Sequence, residues 1–295
     1  MCVIAVASGK GGVGKSFIAS NLAYLISREN KKTLIVDFDL GGANLHHFYG
    51  ISPLKKNLYH FLREGCTLDE IIFEVDEQLF LLPGSNGILG MPHLKNYEKH
   101  RIVKNIFNSK YDYVFADLGA GTNYNLLDFF NISRYKIIVM TSEQTSLENA
   151  YSFLKVAFLR GILDILKGEK NIDMIKKQVS FRSGKIRYVD DLKELLNKHN
   201  PESLNKIDEY VKNFKVGIIL NMVKNGNELD FLLLFDYIAK KYLGFSVDKL
   251  GFIPYDKKVS DSIKKGLFYF KNADKEYKDC FNDLKTNMIS LISKN

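Results

Sequence analysis

The 295-residue sequence predicts an α/β fold in which helices cover both faces of a mostly parallel sheet. Three observations predict it. Short apolar runs alternate with stretches of helical spacing. The runs are almost entirely apolar, as strands buried on both faces are. Acidic residues, Asn and Gly follow the ends of several runs. Because ligands of open α/β sheets bind at the carboxyl ends of the strands, we expect the functional site at that edge.

Seven short apolar runs are predicted as buried strands, since they are rich in β-branched and aromatic residues and most end at a turn-forming or polar residue. The first predicted helix, residues 16–28, follows the first run and carries apolar residues at helical spacing. The predicted strands are residues 3–7, 33–36, 78–82, 111–116, 136–140, 216–220 and 250–253.

The alternation of strands and helices is interrupted at about residues 161–213, between the fifth and sixth predicted strands. Residues 190–197 have a helical pattern, and Asn200 followed by Pro201 is typical of a helix start. We predict a helical insertion here, which is either a lid or partner surface, or a packed helical hairpin. We treat the whole chain, 1–295, as a single domain. The helical face after Pro201 consists of Leu204, Ile207, Val211 and Phe214.

The composition is that of a globular protein, with 46% hydrophobic and 26% charged residues, which excludes a wholly disordered chain. The net charge of +8 is compatible with polyanionic partners such as nucleotides, anionic lipids or nucleic acids. The three cysteines, Cys2, Cys66 and Cys280, are odd in number and far apart. This spacing argues against a disulfide framework and against a zinc or iron–sulfur site in one chain.

The start of the chain predicts no signal peptide, because the first residues lead directly into a glycine-rich loop. We also expect no membrane-spanning helix, since no apolar run approaches about 18 residues. Free thiols are typical of a reducing compartment. The expectation is a cytoplasmic protein.

Residues 9–16 match the pattern G-x-x-x-x-G-K-[ST] of a phosphate-binding loop. The glycines let the backbone curl so that successive N–H groups point at phosphate oxygens, and Lys15 adds positive charge over the β and γ phosphates. Ser16 supplies a hydroxyl ligand for Mg²⁺, and the following helix directs its positive end at the same anion. A predicted strand before the loop and a predicted helix after it support a nucleotide site.

Three carboxylates lie at the ends of predicted strands. Asp37 and Asp39 follow the second strand, and Asp117 follows the fourth, ahead of Gly119 and Gly121. Two residues apart on a strand, Asp37 and Asp39 face the same side of the sheet. Since the phosphate loop places a metal at this edge, the three acids are candidates for the same site.

The run of residues 10–15, with its additional lysine Lys10, resembles the deviant P-loop of the MinD/ParA family. The resemblance implies a Rossmann-like P-loop NTPase sheet that binds ATP and Mg²⁺ and forms an ATP-dependent homodimer. In that family the first lysine reaches phosphates bound by the other subunit, where it acts as an arginine finger would. The alternative is that Lys10 is a solvated loop lysine.

The resemblance also assigns roles to the acids. It implies that Asp39 orients or activates the attacking water, that Asp37 lies near the Mg²⁺ shell, and that Asp117 holds Mg²⁺ through water and Ser16. The alternative for Asp37 is a helix N-cap or a loop turn. Residues 41–45 resemble switch I, and residues 117–121 resemble Walker B with switch II. The implied metal-binding residues are Ser16, Asp37 and Asp117, and the implied catalytic residues are Lys10, Lys15 and Asp39.

The base is expected near two further strand ends. Asn221 follows the sixth predicted strand, and Pro254 and Tyr255 follow the seventh. In the family an Asn hydrogen-bonds adenine and a Pro-containing loop covers it, although Asn221 is equally suited to a turn. The predicted nucleotide contacts are Gly9, Lys10, Gly11, Gly12, Val13, Gly14, Lys15, Ser16, Phe17, Asn221, Pro254 and Tyr255.

Residues 117–121 and 141–155 resemble the FlhG-type branch, which governs flagellar number and position. The expected function is a Mg·ATP-dependent dimerising ATPase switch that controls membrane or protein-partner association in spatial regulation, of flagella or of the division site. One alternative is a ParA-type partitioning ATPase that binds DNA, and another is an ATP-dependent metabolic synthetase. A non-hydrolysing scaffold is the third. Phe17 departs from the family pattern, which has a small or hydroxyl residue there.

Residues 275–295 are predicted to form an amphipathic C-terminal helix. MinD and FlhG-type proteins dock on membranes through such a helix, so the resemblance implies peripheral association with the inner face of the cell membrane. The alternative is that the apolar stripe packs on the domain. The stripe consists of Phe281, Leu284, Met288, Leu291 and Ile292.

Overall fold

The computed structural model describes residues 1–40, 42–51, 55–85, 94–168 and 189–293. Its centre is one eight-stranded sheet with the order β3-β4-β2-β5-β1-β6-β7-β8. The strands are β1 (Cys2–Ala7), β2 (Thr33–Phe38), β3 (Phe73–Asp76), β4 (Leu79–Leu82), β5 (Tyr113–Leu118), β6 (Tyr135–Met140), β7 (Val216–Val223) and β8 (Asp248–Pro254).

Helices follow most of the strands, as the alternating pattern predicted. The described residues also contain two short turns of 3-10 helix, Pro201–Ser203 and Gly226–Leu229. The helices within the described ranges are α1 (Lys15–Ser27), α2 (Leu45–Phe48), α3 (Leu58–Arg63), α4 (Asn96–Phe107), α5 (Tyr124–Ile132), α6 (Gln144–Ile165), α7 (Val189–His199), α8 (Leu204–Asn213), α9 (Asp230–Leu243), α10 (Lys257–Lys264), α11 (Tyr269–Asn272) and α12 (Lys275–Ser293).

The sheet is parallel except at one edge. β1 lies between β5 and β6, so the phosphate loop that follows β1 emerges at the centre of the carboxyl edge. β2 pairs with β5 in a register that sets Asp37 opposite Asp117. β3 is antiparallel to β4, and the sequence did not predict it because its residues, FEVD, are only partly buried and form no apolar run.

The core has two parts, one on each face of the sheet. Along β1 the side chains alternate: Ile4 and Val6 join the cluster beneath α1 and α12, whereas Ala5 and Ala7 join the cluster beneath α5, α6 and α9. All four are fully buried. This is the two-faced burial expected of continuous apolar strands, and it confirms the predicted fold class.

The first residues of the predicted insertion belong to the end of α6, which continues through Gly161 to Ile165. Residues 169–188 lie outside the described residues, so the insertion is described only over α7 and α8. Pro201 opens a turn of 3-10 helix, and α8 starts after it. The described part packs on α6, where the ring of Tyr210 stacks on Phe158 at 5.3 Å between centroids.

The C-terminal helix α12 packs on the sheet beside α1. Four residues of its apolar stripe, Phe281, Leu284, Met288 and Leu291, are at most 1% exposed. Of the two alternatives that the sequence left open, packing on the domain is the one found. Lipid binding through this stripe would require α12 to leave the sheet. No helix within the described ranges is both long enough and apolar enough to cross a bilayer.

Lys136 of β6 is buried at the end of the sheet away from the carboxyl edge, with 5% of its surface exposed. Its Nζ donates to the carbonyl oxygen of Ser133 at 2.6 Å and lies 4.9 Å from the ring centre of Phe214. Burial lowers the pKa of Lys136 to about 8. The folded protein therefore carries an incompletely solvated charge at neutral pH.

Lys136→Met is expected to raise the free energy of unfolding at pH 7 by about 2 kcal/mol, because the variant buries no charge. The Lys136 side chain loses its proton above about pH 8 in the folded chain, but only above about pH 10.4 in the unfolded chain. The free energy of unfolding of the wild-type chain should therefore increase as the pH rises between these two values. The advantage of the variant should shrink between pH 8 and 10. Urea unfolding of both proteins between pH 7 and 10 measures this. A difference in the free energy of unfolding that stays constant over this range would contradict the prediction.

Candidate nucleotide-binding site

The phosphate loop connects β1 to α1 and turns sharply at Gly14, the residue that precedes the helix. Gly14 has a φ of 82°, in the left-handed region that favours glycine. A side chain at this position would also collide with Asn221, whose Nδ2 lies 2.2 Å from where a Cβ would stand. The glycine is therefore required both by the backbone turn and by the close approach of β7.

Lys15 and Ser16 lie at the N-terminus of α1, beside the strand-end acid Asp117. The Lys15 Nζ donates to Asp117 Oδ1 at 2.5 Å and to Ser16 Oγ at 3.2 Å. The lysine and aspartate side chains are only 8% and 1% exposed. The structure thus brings together one predicted phosphate ligand and two predicted metal ligands.

The chemistry of Asp117 fits a divalent cation. Its second oxygen, Oδ2, is buried and has no hydrogen-bond partner among the residues that the structure describes. Burial raises the pKa of the Asp117 carboxyl, and the positive charge of Lys15 opposes that rise. Mg²⁺ in nucleotide sites is held through one or two carboxylates together with substrate phosphates, so Ser16 and Asp117 are suited to hold it.

Asp37 lies opposite Asp117 and holds the segment after β2. Its Oδ1 accepts the backbone N–H of Asp39 at 3.0 Å, and its Oδ2 accepts those of Asn44 and Leu45 at 2.9 and 3.1 Å. Burial and the nearby charge of Asp117 raise the pKa of Asp37 to about 7. The three backbone bonds give Asp37 the loop-holding role that the sequence left open as the alternative. Its place near the metal stays a prediction.

Asp39 lies between the loops that follow β2 and β5. Its Oδ1 is 3.1 Å from where a Cβ on Gly119 would stand and 3.4 Å from where one on Gly42 would stand. The carboxylate also lines the cleft above the phosphate loop. This position suits the predicted task of orienting a water molecule. Gly41, in the run that resembles switch I, lies outside the described residues.

Lys10 turns away from the cleft of its own chain. Its Nζ contacts Glu143 Oε2 at 2.9 Å and Thr145 Oγ1 at 3.5 Å, at the start of α6. The lysine and glutamate side chains are 44% and 65% exposed. The two lysines of the loop therefore point to different places, Lys15 inward and Lys10 outward.

Asn221 connects the base end of the site to the phosphate loop. Its Nδ2 donates to the carbonyl oxygen of Val13 at 2.8 Å, and its side chain is buried. Pro254 and Tyr255 line the same cleft, and the backbone N–H of Tyr255 donates to the carbonyl oxygen of Val223. The predicted base residues are thus neighbours of the phosphate loop.

Phe17 lines the cleft but is anchored in the core. It is 5% exposed, and its ring lies 5.7 Å from that of Phe281 in α12, edge to face. Its unusual size is accommodated because α12 supplies an aromatic wall behind α1. The C-terminal helix therefore touches the residue next to the predicted metal ligand Ser16.

The cleft has a volume of about 450 Å³. Of the predicted nucleotide contacts, all but Gly9 and Lys10 line it. Gly9 instead packs against α6, where a Cβ would stand 2.0 Å from the backbone oxygen of Asn149. The sequence analysis did not assign several other lining residues to the site. Asn44 belongs to the run that resembles switch I, and Met222 stands at the end of β7. The rest come from helices with no motif of their own, and they are Phe48, Val259, Ile263 and Tyr277.

Comparison with known proteins identifies the type of domain. The profile of the "CobQ/CobB/MinD/ParA nucleotide binding domain" matches residues 4–269. The flagellum site-determining protein YlxH of Helicobacter pylori is 36% identical over 159 residues, which are 52% of this chain and 52% of that protein. The antiactivator FleN of Pseudomonas aeruginosa is 28% identical over 156 residues, which are 52% of this chain and 55% of FleN. The alignments thus span about half the length of these curated relatives.

Among solved structures, the septum site-determining protein MinD of Pyrococcus horikoshii, complexed with Mg-ADP, superposes with a TM-score of 0.65. The superposition covers 99% of this chain and 97% of that one at 18% sequence identity. At this identity the likeness concerns the fold.

Proposed function

The chain belongs to the CobQ/CobB/MinD/ParA family of nucleotide-binding domains, and from this premise we propose that it is a Mg·ATP-dependent ATPase switch that dimerises when it binds ATP. The switch would control the association of the protein with a partner or a membrane surface. Hydrolysis of ATP would return it to the monomer.

The observation that carries this proposal is the divergence of the two loop lysines. Lys15 stays with Asp117 and Ser16 in the cleft, where it can neutralise phosphates of the chain's own nucleotide. Lys10 lies outside that cleft, paired with the exposed Glu143. An exposed lysine on the carboxyl edge can exchange its carboxylate partner for the phosphates of a second molecule. This arrangement supports a site completed in trans.

The residues of the cleft have distinct tasks in this proposal. Backbone N–H groups of the phosphate loop and Lys15 bind the triphosphate, and Asp39 orients the attacking water. Ser16 and Asp117 would hold Mg²⁺, which neutralises charge on the β and γ phosphates when bound. Lys10 of the second chain would stabilise the charge that develops as the terminal phosphoryl group departs.

The output that we propose is spatial regulation of flagella. It rests on the similarity to YlxH, a flagellum site-determining protein, and to FleN, an antiactivator. Because those alignments cover about half of each relative, the role of the whole relative is carried over only as part of this proposal.

Size-exclusion chromatography with light scattering tests the proposal, on the wild-type chain and on Lys10→Ala and Asp39→Ala, each with Mg·ATP and with Mg·ADP. The wild-type chain should be dimeric with ATP and monomeric with ADP. Lys10→Ala should stay monomeric, since the contact across the dimer is lost. Asp39→Ala should bind ATP and remain dimeric while phosphate release falls about 100-fold, because the water is no longer oriented.

Two exposed residues of α8 serve as matched controls, Lys212→Ala for the lysine and Glu209→Ala for the acid. Both should behave as the wild-type chain does. An ATP-dependent dimer that persists in Lys10→Ala would refute a site completed in trans. Wild-type rates of phosphate release in Asp39→Ala would remove Asp39 from the proposed mechanism.

A further inference from the structure

Met222 has an unusual backbone conformation for its residue type. Its φ is 62°, in the left-handed region, and it stands where the register between β7 and β8 shifts between Asn221 and Val223. Residues other than glycine, Asn and Asp rarely adopt this backbone conformation, because their Cβ clashes with a neighbouring carbonyl oxygen. Such strain persists only when the surrounding structure imposes it, and it is concentrated at functional sites.

The conformation changes where the Met222 side chain points. In a regular strand, consecutive side chains project to opposite faces of the sheet. Here Asn221 and Met222 both reach the same glycine of the phosphate loop. The Met222 Cε lies 3.5 Å from where a Cβ on Gly14 would stand, and the Asn221 Nδ2 lies 2.2 Å from it. The irregular end of β7 therefore turns both side chains into the cleft.

The surroundings of Met222 are those of a base pocket. It lines the cleft together with Pro254 and Tyr255. The backbone N–H of Tyr255 donates to the carbonyl oxygen of Val223, at 2.8 Å, so the loop after β8 is fixed to the residue that follows Met222. The Nζ of Lys224 lies 5.8 Å from the ring centre of Tyr255. Asn221, the other side chain that turns inward, is already committed through its Nδ2 to the phosphate loop.

We propose that Met222 is a base-recognition residue whose left-handed conformation places its thioether against the ring of the nucleobase. A thioether is polarizable and packs well on an aromatic ring, whereas it offers little to a phosphate. Met222 would therefore contribute to the binding of nucleotides through the base alone. This inference rests on the proposed function, since it names how that same cleft holds its nucleotide.

The test separates the base from the triphosphate. A fluorescent ATP analogue gives the Kd of each variant, and its displacement by ATP and by inorganic tripolyphosphate, with Mg²⁺, gives two inhibition constants. Met222→Gly relieves the backbone strain but removes the thioether, so the inhibition constant for ATP should rise about tenfold. The constant for tripolyphosphate should stay within about twofold of the wild-type value, because the phosphate loop is untouched. Met222→Leu, which keeps an apolar side chain of similar size, should remain within about threefold for both ligands.

Stability provides the second readout. Met222→Gly should have a higher Tm than Met222→Ala, since glycine alone adopts the left-handed conformation without cost. If Met222→Gly fails to fold, Met222→Ala gives the same two constants. Leu233→Ala, at a residue of α9 that is 58% exposed, is the matched control and should change nothing.

Equal affinity of the wild-type chain and Met222→Gly for ATP would overturn the inference. Equal weakening of ATP and tripolyphosphate would overturn it too, since Met222 would then act on the phosphate loop. A wild-type chain without affinity for ATP would defeat the proposed function itself, which keeps the two failures apart.

Discussion

Replacing Lys15 with methionine is expected to remove nucleotide binding and to lower the free energy of unfolding by about 3 kcal/mol. The structure gives Lys15 two tasks, because it is the positive charge of the phosphate loop and the partner of Asp117. Without it, a carboxyl group that is 1% exposed must either stay charged with no cation beside it or take up a proton, and both cost stability. Calorimetry should show at least about 100-fold weaker ATP binding, and urea unfolding should show the loss of stability.

The double variant Lys15→Met/Asp117→Asn separates the two tasks. The amide carries no charge, so stability should return to within about 1 kcal/mol of the wild-type value, while ATP binding should stay lost. Single Asp117→Asn is the reference that completes the cycle. Additive effects of the two substitutions on stability would contradict the pairing of Lys15 with Asp117. Retained ATP binding in Lys15→Met would contradict the assignment of the loop.

Phe281→Ala is expected to lower the free energy of unfolding by about 3–4 kcal/mol, because it leaves a cavity in a fully buried part of the core. Phe281 is 0% exposed, and its ring meets Phe17 edge to face at 5.7 Å and Phe270 at 5.8 Å. Since Phe17 lies beside Ser16, ATP affinity should fall as well. Thermal and urea unfolding, followed by circular dichroism, measure the first effect, and calorimetry measures the second.

The same variant distinguishes packing from lipid binding by the C-terminal helix. Asn282→Ala, at the neighbouring exposed position on α12, is the control and should change stability by less than about 0.5 kcal/mol. Co-sedimentation with anionic vesicles in the presence of ATP provides the comparison. A wild-type unfolding temperature in Phe281→Ala, together with reduced vesicle binding, would assign the stripe to lipid instead of the core.

Much of the fold followed from periodicity. Continuous apolar runs such as those in β1 and β2 are buried on both faces, and the sequence pattern predicts this directly. β3 escaped prediction because its four residues lie at the sheet edge and are only partly buried. The sequence pattern did not show that α6 continues past Gly161, which lies against the ring of Tyr210 in α8.

Some features of the candidate site could be predicted from the sequence, and others could not. The phosphate loop and the strand-end acids are local patterns, and they converge at one edge because parallel strands end there together. The backbone bonds of Asp37, the pairing of Lys10 with Glu143 and the turn of Met222 into the cleft join segments that are distant in the chain or depart from regular strand geometry. The spacing of residues in the sequence does not predict these contacts, because each depends on how loops from different strands pack together.

The sequence by itself determined the α/β class, the nucleotide loop and the acids that face it, because the backbone geometry of a loop and the burial of a strand are set by consecutive residues. The tertiary structure alone decided that the C-terminal stripe belongs to the core and that Lys10 lies outside its own cleft. The apolar stripe of α12 would fit a lipid surface as well as a protein core. Only the tertiary structure shows what covers it, because the rings of Phe17 and Phe270 pack against Phe281 of the stripe.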